Sequence, residues 1–373
     1  MDTVILPHMK NQNGEIVGKL FQDLKGKVDA VLIVNSRSPF LDENFQYFTD
    51  VRGGVFEGSF ALVTKTQARI ITSKLEEGIA KKSGCNVDVY STAQQRDSLI
   101  RSRLRGKDVI GINEAAVSVA TMKRLRKILR GKKFKDVSED ISKCRAVKIK
   151  REIGRLKKAA SIASKTAEEI PEILRVGMTE KEAAAEVDYL LRCNGADGPA
   201  FETVVAFGSS SALPHYMAGE RRLTKGSVAL FDFGALYWNY RSDISRTYFT
   251  KPLNTRMTKI YKIVLSSQEA AIKKISPGIR ASEIDTAART VIEKGGFGRN
   301  FIHSTGHGIG IAVHDSISIS ERSTDVLKEN MAFTVEPGIY VPRLGGVRIE
   351  DDVVVTARGC RVITNASRQM IVI

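Results

Sequence analysis

Val228-Ala-Leu-Phe-Asp232-Phe-Gly234 and Ala332-Phe-Thr-Val-Glu336-Pro-Gly338 decide the reading of this 373-residue chain. Each is an apolar strand that ends on an acid. A carboxylate among Val, Ala, Leu and Phe is costly to bury unless it is paired, hydrogen-bonded or bound to a cation. Working outward, a chain reversal around Leu236 to Asn239 would set Asp232 opposite Asp243 on one face of a hairpin. Two like charges so placed need a shared proton or a cation between them. In Val347-Arg348-Ile349-Glu350-Asp351-Asp352-Val353, alternation sends Val347, Ile349 and Val353 to one face and Arg348, Glu350 and Asp352 to the other.

Upstream of each acid the same layout recurs. Val176-Gly-Met-Thr-Glu-Lys-Glu182, running on to Gly195, matches Pro277-Gly-Ile-Arg-Ala-Ser-Glu283, running on to Gly296, at an offset of 101. Thr179 and Glu182 have the T-x-x-E spacing of a capping box. Two structural repeats would bring two acidic hairpins into one pocket, and four carboxylates together are not tolerable without cations. A dinuclear metal centre is the simplest hypothesis. The candidate imidazole ligand is His307 in His303-Ser-Thr-Gly-His307-Gly-Ile-Gly310, followed by His314; three of the five histidines fall in this stretch. Glycines 306, 308 and 310 let backbone approach a ligand closely. His8 reads as an ordinary hydrogen-bonded histidine. His303 and His307 have zincin spacing, but Ser304 stands where the general-base Glu belongs. Neither a dinucleotide fingerprint nor a phosphate loop occurs.

The chain carries 58 Lys and Arg against 42 Asp and Glu, a net +16. The excess is local: residues 101–150 hold 16 basic and 5 acidic side chains, whereas residues 1–100 balance. Leu125, Ile128 and Leu129 interleave the basic run at helical spacing, which predicts a solvated helix face. Without an aromatic stacking platform it argues against nucleic acid as a partner. No apolar run approaches the ~20 residues that cross a bilayer, and the N-terminus lacks signal-peptide features, so a cytoplasmic protein with no membrane partner is expected. Cys85, Cys144, Cys193 and Cys360 form no C-x-x-C pair and read as free, buried thiols. Alternating strands and helices over 1–140 predict an α/β N-terminal domain; a change to long helix from about 140, followed by the two helix-then-strand repeats, marks 141–373 as a second, α+β domain.

Together these residues resemble the pita-bread metallopeptidases, which include Xaa-Pro dipeptidases (prolidases), aminopeptidase P and the methionine aminopeptidases. The resemblance lies in Asp232-Phe-Gly-Ala with Tyr240-x-Ser-Asp243-Ile-x-Arg-Thr247, His303-x-x-Gly-His307-Gly-Ile-Gly with His314, Thr334-Val-Glu336-Pro-Gly-Ile-Tyr340, and Gly345-Gly-Val-Arg348-Ile-Glu350-Asp. Asn44-Phe-Gln-Tyr-Phe-Thr49 and Cys144-Arg-Ala-Val-Lys-Ile-Lys-Arg-Glu-Ile153 are similar to the proline-directed branch, whose members carry a creatinase-like N-terminal domain.

The resemblance implies a pita-bread catalytic domain with a pseudo-two-fold internal repeat and two divalent ions per subunit. Asp232, Asp243, His307, Glu336 and Glu350 would be the ligands, with Asp243 and Glu350 bridging. Four carboxylates and one imidazole suit Mn²⁺ or Co²⁺ and admit Zn²⁺ or Fe²⁺. It further implies hydrolysis of Xaa-Pro bonds by a metal-bridging hydroxide, with Glu336 as proton shuttle. His215 and His314 would bind the substrate carbonyl, His303 would contribute to the substrate pocket, and Arg348 would anchor a network around Glu350. The expected substrate is a proline-containing di- or oligopeptide, and the expected assembly a homodimer. Many prolidases read His-Glu-x-Pro where this chain reads His314-Asp-Ser-Ile, with Ser318 in place of a carboxylate-binding arginine and Arg322 nearby. That departure keeps an aminopeptidase acting on longer peptides in play beside the dipeptidase. A metal-free binding protein of the same fold would usually have lost ligands, and creatinase-like chemistry lacks the acidic set.

Overall fold

The computed structural model describes residues 12–373, so His8 lies outside the described residues. The chain divides into two compact units, Met1–Cys144 and Arg145–Ile373. The first is an α/β unit around a six-stranded sheet in the order Asn86–Tyr90, Ala68–Ser73, Ser59–Val63, Ala30–Asn35, Val109–Ile112, Lys133–Asp136. Ala30–Asn35 is buried throughout and pairs antiparallel with Ser59–Val63 and parallel with Val109–Ile112. Asn86–Tyr90 and Lys133–Asp136 escape the sequence reading because they are edge strands with little burial. The basic run supplies the helix Val119–Ile128, capped by the Ser118 hydroxyl, which buries Leu125 and Ile128 and leaves its cations in solvent. The helix Ser138–Ala146 carries the first unit past residue 140, with Ile141 and Cys144 buried. All four cysteines are free, but only Cys144 is buried and Cys193 is exposed, so the expectation of buried thiols holds for one of them.

The second unit is built twice over. Helices Glu180–Cys193 and Ala281–Lys294 have equal length and sit 101 residues apart. Gly177 and Gly278 enter them, and Gly195 and Gly296 leave them, all with positive φ. Thr179 and Glu182 form the expected capping box. Gly177 and Gly278 donate backbone hydrogen bonds to Leu223 and Leu327, matching contacts in the two halves. Each helix covers a sheet. The first half has the order Ile371–Val372, Ile244–Phe249, Val228–Phe233, Val204–Phe207; the second has Ala332–Val335, Asp351–Thr356, Gly359–Val362. Separate apolar cores, one around Phe207, Phe231 and Tyr248 and one around Phe333, Val353 and Ile284, hold the halves. Among the described residues no helix is long and apolar enough to cross a membrane.

The acidic hairpin of the first half turns through Trp238 and Asn239, both with positive φ, so the loop is the two-residue kind that matches strand twist. This corrects the expected register. Asp232 faces Ser245, not Asp243. The slip is by two residues, an even number, so Asp243 stays on the same face as a diagonal neighbour of Asp232. Gly234 is required between them: a Cβ there would lie 1.8 Å from the Ser242 carbonyl oxygen, which is backbone and cannot swing away. Gly154, on the exposed side of the helix Lys150–Ile173, has open space instead. In denaturant melts, Gly234→Ala should therefore lose roughly 1–3 kcal/mol or fail to fold, whereas Gly154→Ala should gain roughly 0.5–1 kcal/mol; equal effects at the two positions would contradict this packing.

Candidate metal centre

The two hairpins meet over a cavity of about 650 Å³ lined by Asp232, Asp243, His307, Glu336 and Glu350, with His215, His303 and His314 on its walls. Strand Val228–Phe233 carries Asp232, and Asp243 lies just before strand Ile244–Phe249. Strand Ala332–Val335 ends at Glu336, and Glu350 occupies the break between strands Gly345–Arg348 and Asp351–Thr356. Alternation holds over the first four residues: Val347 and Ile349 enter one apolar core while Arg348 and Glu350 line the cavity; past the strand break Val353 enters a different core and Asp352 is off the cavity.

His307 Nε2 lies 3.4 Å from Glu336 Oε1 and 3.7 Å from Asp243 Oδ2. Its Nδ1 is 3.1 Å from the Gly308 carbonyl oxygen. A carbonyl only accepts, so Nδ1 carries the hydrogen and the Nε2 lone pair faces the carboxylates. Burial lowers the His307 pKa, which keeps that ring neutral. The His307 amide donates to Thr334 Oγ1 at 3.0 Å, and Thr334 Oγ1 in turn donates to Glu336 Oε1 at 3.3 Å.

The carboxylates are held in the state a cation would relieve. Burial, then Glu350 and Asp232, push the Asp243 carboxyl well above the usual range; burial, then Glu336 and Asp232, do the same to Glu350. Burial, reinforced by Asp232 against the pull of Arg348, raises Glu336 to about 7. Among the described residues, Asp232 Oδ1, Asp243 Oδ1 and Glu350 Oε1 are buried with no hydrogen-bond partner. Donor atoms of Asp243, His307 and Glu350 lie within 4.8 Å of one another. Orphaned anionic oxygens facing an imidazole lone pair fit hard divalent ions.

Arg348 organises the surrounding hydrogen bonds. Its guanidinium donates to Asp232 Oδ2, to Ser245 Oγ at 2.7 Å and to Tyr340 Oη at 2.8 Å. Ser245 Oγ passes its own hydrogen to Glu350 Oε2 at 2.7 Å. His303 engages both ring nitrogens with protein atoms: Nδ1 donates to the Ser304 carbonyl, and Nε2 accepts from Tyr340 Oη, each at 2.8 Å. Burial, then Arg348, lowers His303 to about 4, so this neutral tautomer persists. His314 packs edge-on to His307 with ring centroids 4.2 Å apart. His215 stands on an exposed loop at the cavity wall. Ser318 and Arg322 are exposed and do not line the cavity.

Several supporting residues had no role in the sequence reading. Ser245 was passed over because the register was read two residues off. Tyr340 stood in a quoted motif without an assigned partner. Glu180 is fully buried and accepts from the Phe207 amide, the Tyr216 hydroxyl and the Gly219 amide, holding the loop of His215. Asp285, also fully buried, accepts from the Thr305 amide and hydroxyl two residues before His307. Both sit on the repeated helices, where only their burial distinguishes them from capping or surface acids.

Residues 154–357 match the model of Metallopeptidase family M24, and residues 18–147 match that of the Creatinase/Prolidase N-terminal domain. The chain belongs to this family of metallopeptidases, enzymes that use divalent metal ions. A Xaa-Pro dipeptidase of Pyrococcus horikoshii is 38% identical over 347 residues, covering 93% of this chain and 95% of that one. The structure of a Xaa-Pro dipeptidase from Bacillus anthracis superimposes with a TM-score of 0.89 at 32% identity, over 97% of this chain and all of that one. An X-Pro aminopeptidase from Thermotoga maritima gives 0.87 at 34% identity, over 93% and 98%.

Because burial and mutual repulsion raise the Asp243 and Glu350 carboxyls, cations would compete there with protons, so metal uptake should release protons and weaken as pH falls. Calorimetric titration of Mn²⁺ into metal-free protein, in buffers of differing ionisation enthalpy, should show net proton release at pH 7 and a tighter apparent Kd at pH 8 than at pH 6. Uptake without proton release would contradict the electrostatics described.

Proposed function

We propose that the protein hydrolyses Xaa-Pro peptide bonds, acting as a dipeptidase, with two divalent ions held by Asp232, Asp243, His307, Glu336 and Glu350. The observation that supports this reading is the convergence of orphaned carboxylate oxygens and a neutral imidazole in one cavity, with His215, His303 and His314 on its walls. Bound there, the ions would polarise the scissile carbonyl and acidify the attacking water. Mn²⁺ or Co²⁺ suits the oxygen-rich donor set.

The chain's own groups supply the remainder. Glu336, raised to about 7, is poised to take a proton from the attacking water and hand it to the leaving proline nitrogen. His314, its pKa lowered by burial and by His307 and His215, is neutral and able to donate one hydrogen bond to the carbonyl oxygen as it gains charge; a ring N–H of His215 can reach the same oxygen from the cavity wall. Arg348 fixes Asp232 directly and Glu350 through Ser245. His303, with both nitrogens engaged, orients Tyr340.

One observation favours an aminopeptidase as the second reading. Among the described residues, the one Lys or Arg lining the cavity is Arg348, already bonded to Asp232, so the described wall offers no free cation to a dipeptide's C-terminal carboxylate.

Protein loaded with Mn²⁺ or Co²⁺ should release proline from Met-Pro and lose that activity on chelation. Greater kcat/KM on an Xaa-Pro-Yaa tripeptide would select the aminopeptidase reading, and no cleavage of either peptide with any divalent metal would end both. Glu336→Gln should lower kcat by about 10²–10⁴-fold, read in the same assay with metal content measured alongside.

A further inference from the structure

The sequence motif Arg145-Ala-Val-Lys148 and the departure at His314-Asp-Ser have no part in the chemistry above, yet they meet in space. Asp315 is buried, and its carboxylate receives Arg145 Nη2 at 3.0 Å, Lys148 Nζ at 3.7 Å and the Ser316 hydroxyl at 2.6 Å. The Lys148 side chain is 1% exposed. Desolvation alone would raise the Asp315 pKa, yet Lys148, Arg145 and Ser316 turn the shift downward, so the group is an anion in a buried cluster.

The backbone around this carboxylate is equally constrained. The Asp315 amide donates to the Gly308 carbonyl and the Gly308 amide to the Ile317 carbonyl, both at 2.7 Å, closing the loop that carries His314 onto the residue after His307. The loop admits no side chain where it crosses itself. A Cβ on Gly308 would sit 1.7 Å from the Asp315 carbonyl oxygen, and one on Gly310 would sit 2.3 Å from Asp315 Oδ2. On the cation side, the Lys148 amide donates to the Asn330 carbonyl, and Val147 bridges Met331, at the entrance to the strand that delivers Glu336.

We propose that Asp315 is a positioning residue. Its ion cluster with Arg145 and Lys148 sets the orientation of His314 against His307 and ties both to the strand bearing Glu336. The geometry favours this over a purely structural ion pair because Asp315 adjoins His314 in sequence and is bonded to the neighbour of His307. Nothing in the cluster touches substrate. A carboxamide at 315 keeps the shape but removes the charge that holds two cations, so the loop loosens while the five ligands keep their own supports. Misplacement by about 1 Å at a catalytic group costs on the order of 10²-fold.

The inference rests on the proposed role of His314, so His314→Ala is measured in parallel with Asp315→Asn, Asp315→Glu and Lys148→Arg. The readouts are kcat and KM on the better of the two peptides, bound Mn²⁺ and thermal midpoint. Asp315→Asn should lose about 10²-fold in kcat with full metal content, and Asp315→Glu should recover part of that loss. Lys148→Arg keeps the charge but replaces a point cation by a fork, and should lower kcat without lowering metal content; it decides the matter if Asp315→Asn does not fold. Parent-like kcat in folded Asp315→Asn or in Lys148→Arg, with His314→Ala inactive, overturns the clamp. Loss of metal in step with kcat also overturns it, since the cluster would then support only the ligands. An active His314→Ala overturns the assigned role of His314 instead.

Discussion

Buried carboxylates that lack enough hydrogen bonds are the constraint around which the catalytic unit is built. Asp232, Asp243 and Glu350 each leave an oxygen without a partner at the centre of the fold. Such a cluster cannot be stabilised by its own members, because they repel. What the protein supplies instead is a rigid surround. Arg348 reaches Asp232, Ser245 and Tyr340 from one guanidinium, and Arg246 holds Asp351 beside the Glu350 backbone. Asp352, whose carboxyl burial pushes well up, receives the Asp243 amide. Like charge extends one layer behind the cavity, where Asp351 lies beside Asp352 and is answered by Arg246.

The fold was legible where its cause was local. The capping box at Thr179, the alternation at Val347 to Glu350 and the amphipathic basic helix all follow from spacing along the chain, and the offset of 101 reflects two copies of one supersecondary unit. The acidic pairing was legible for a subtler reason. A register misread by two residues still puts Asp243 on the face of Asp232, since strand side chains alternate with period two. The same misreading hid Ser245, because identifying the residue directly opposite requires the true turn.

What stayed hidden is held by long-range contacts between chemically ordinary residues. Glu180, Asp285 and Asp315 look in sequence like a helix-start acid, a helix acid and a loop acid. In the structure each is buried; Glu180 and Asp285 gather donors from segments that carry or lead to a cavity histidine, and Asp315, next to His314, gathers the distant cations Arg145 and Lys148. His303 lines the cavity, in keeping with its place in the histidine cluster, and its two nitrogens engage Ser304 and Tyr340, partners that the cluster alone does not indicate. Hydrogen-bond partners across a hundred residues leave no periodic trace.

The duplicated architecture has a thermodynamic consequence. Asp232 and Asp243 belong to one half, and His307, Glu336 and Glu350 to the other. The halves also share apolar clusters, Val228 and Phe249 with Val347 and Ile349, and Tyr240 with Ile309 and Val354, so an ion shared by the two sets would add a further link across a seam that is already packed. Its binding free energy then adds to the cohesion of the unit, by about 4 kcal/mol when free metal exceeds Kd a thousandfold. An arrangement whose like charges oppose folding without a cation would thereby, with one bound, reinforce the seam between two units of similar design.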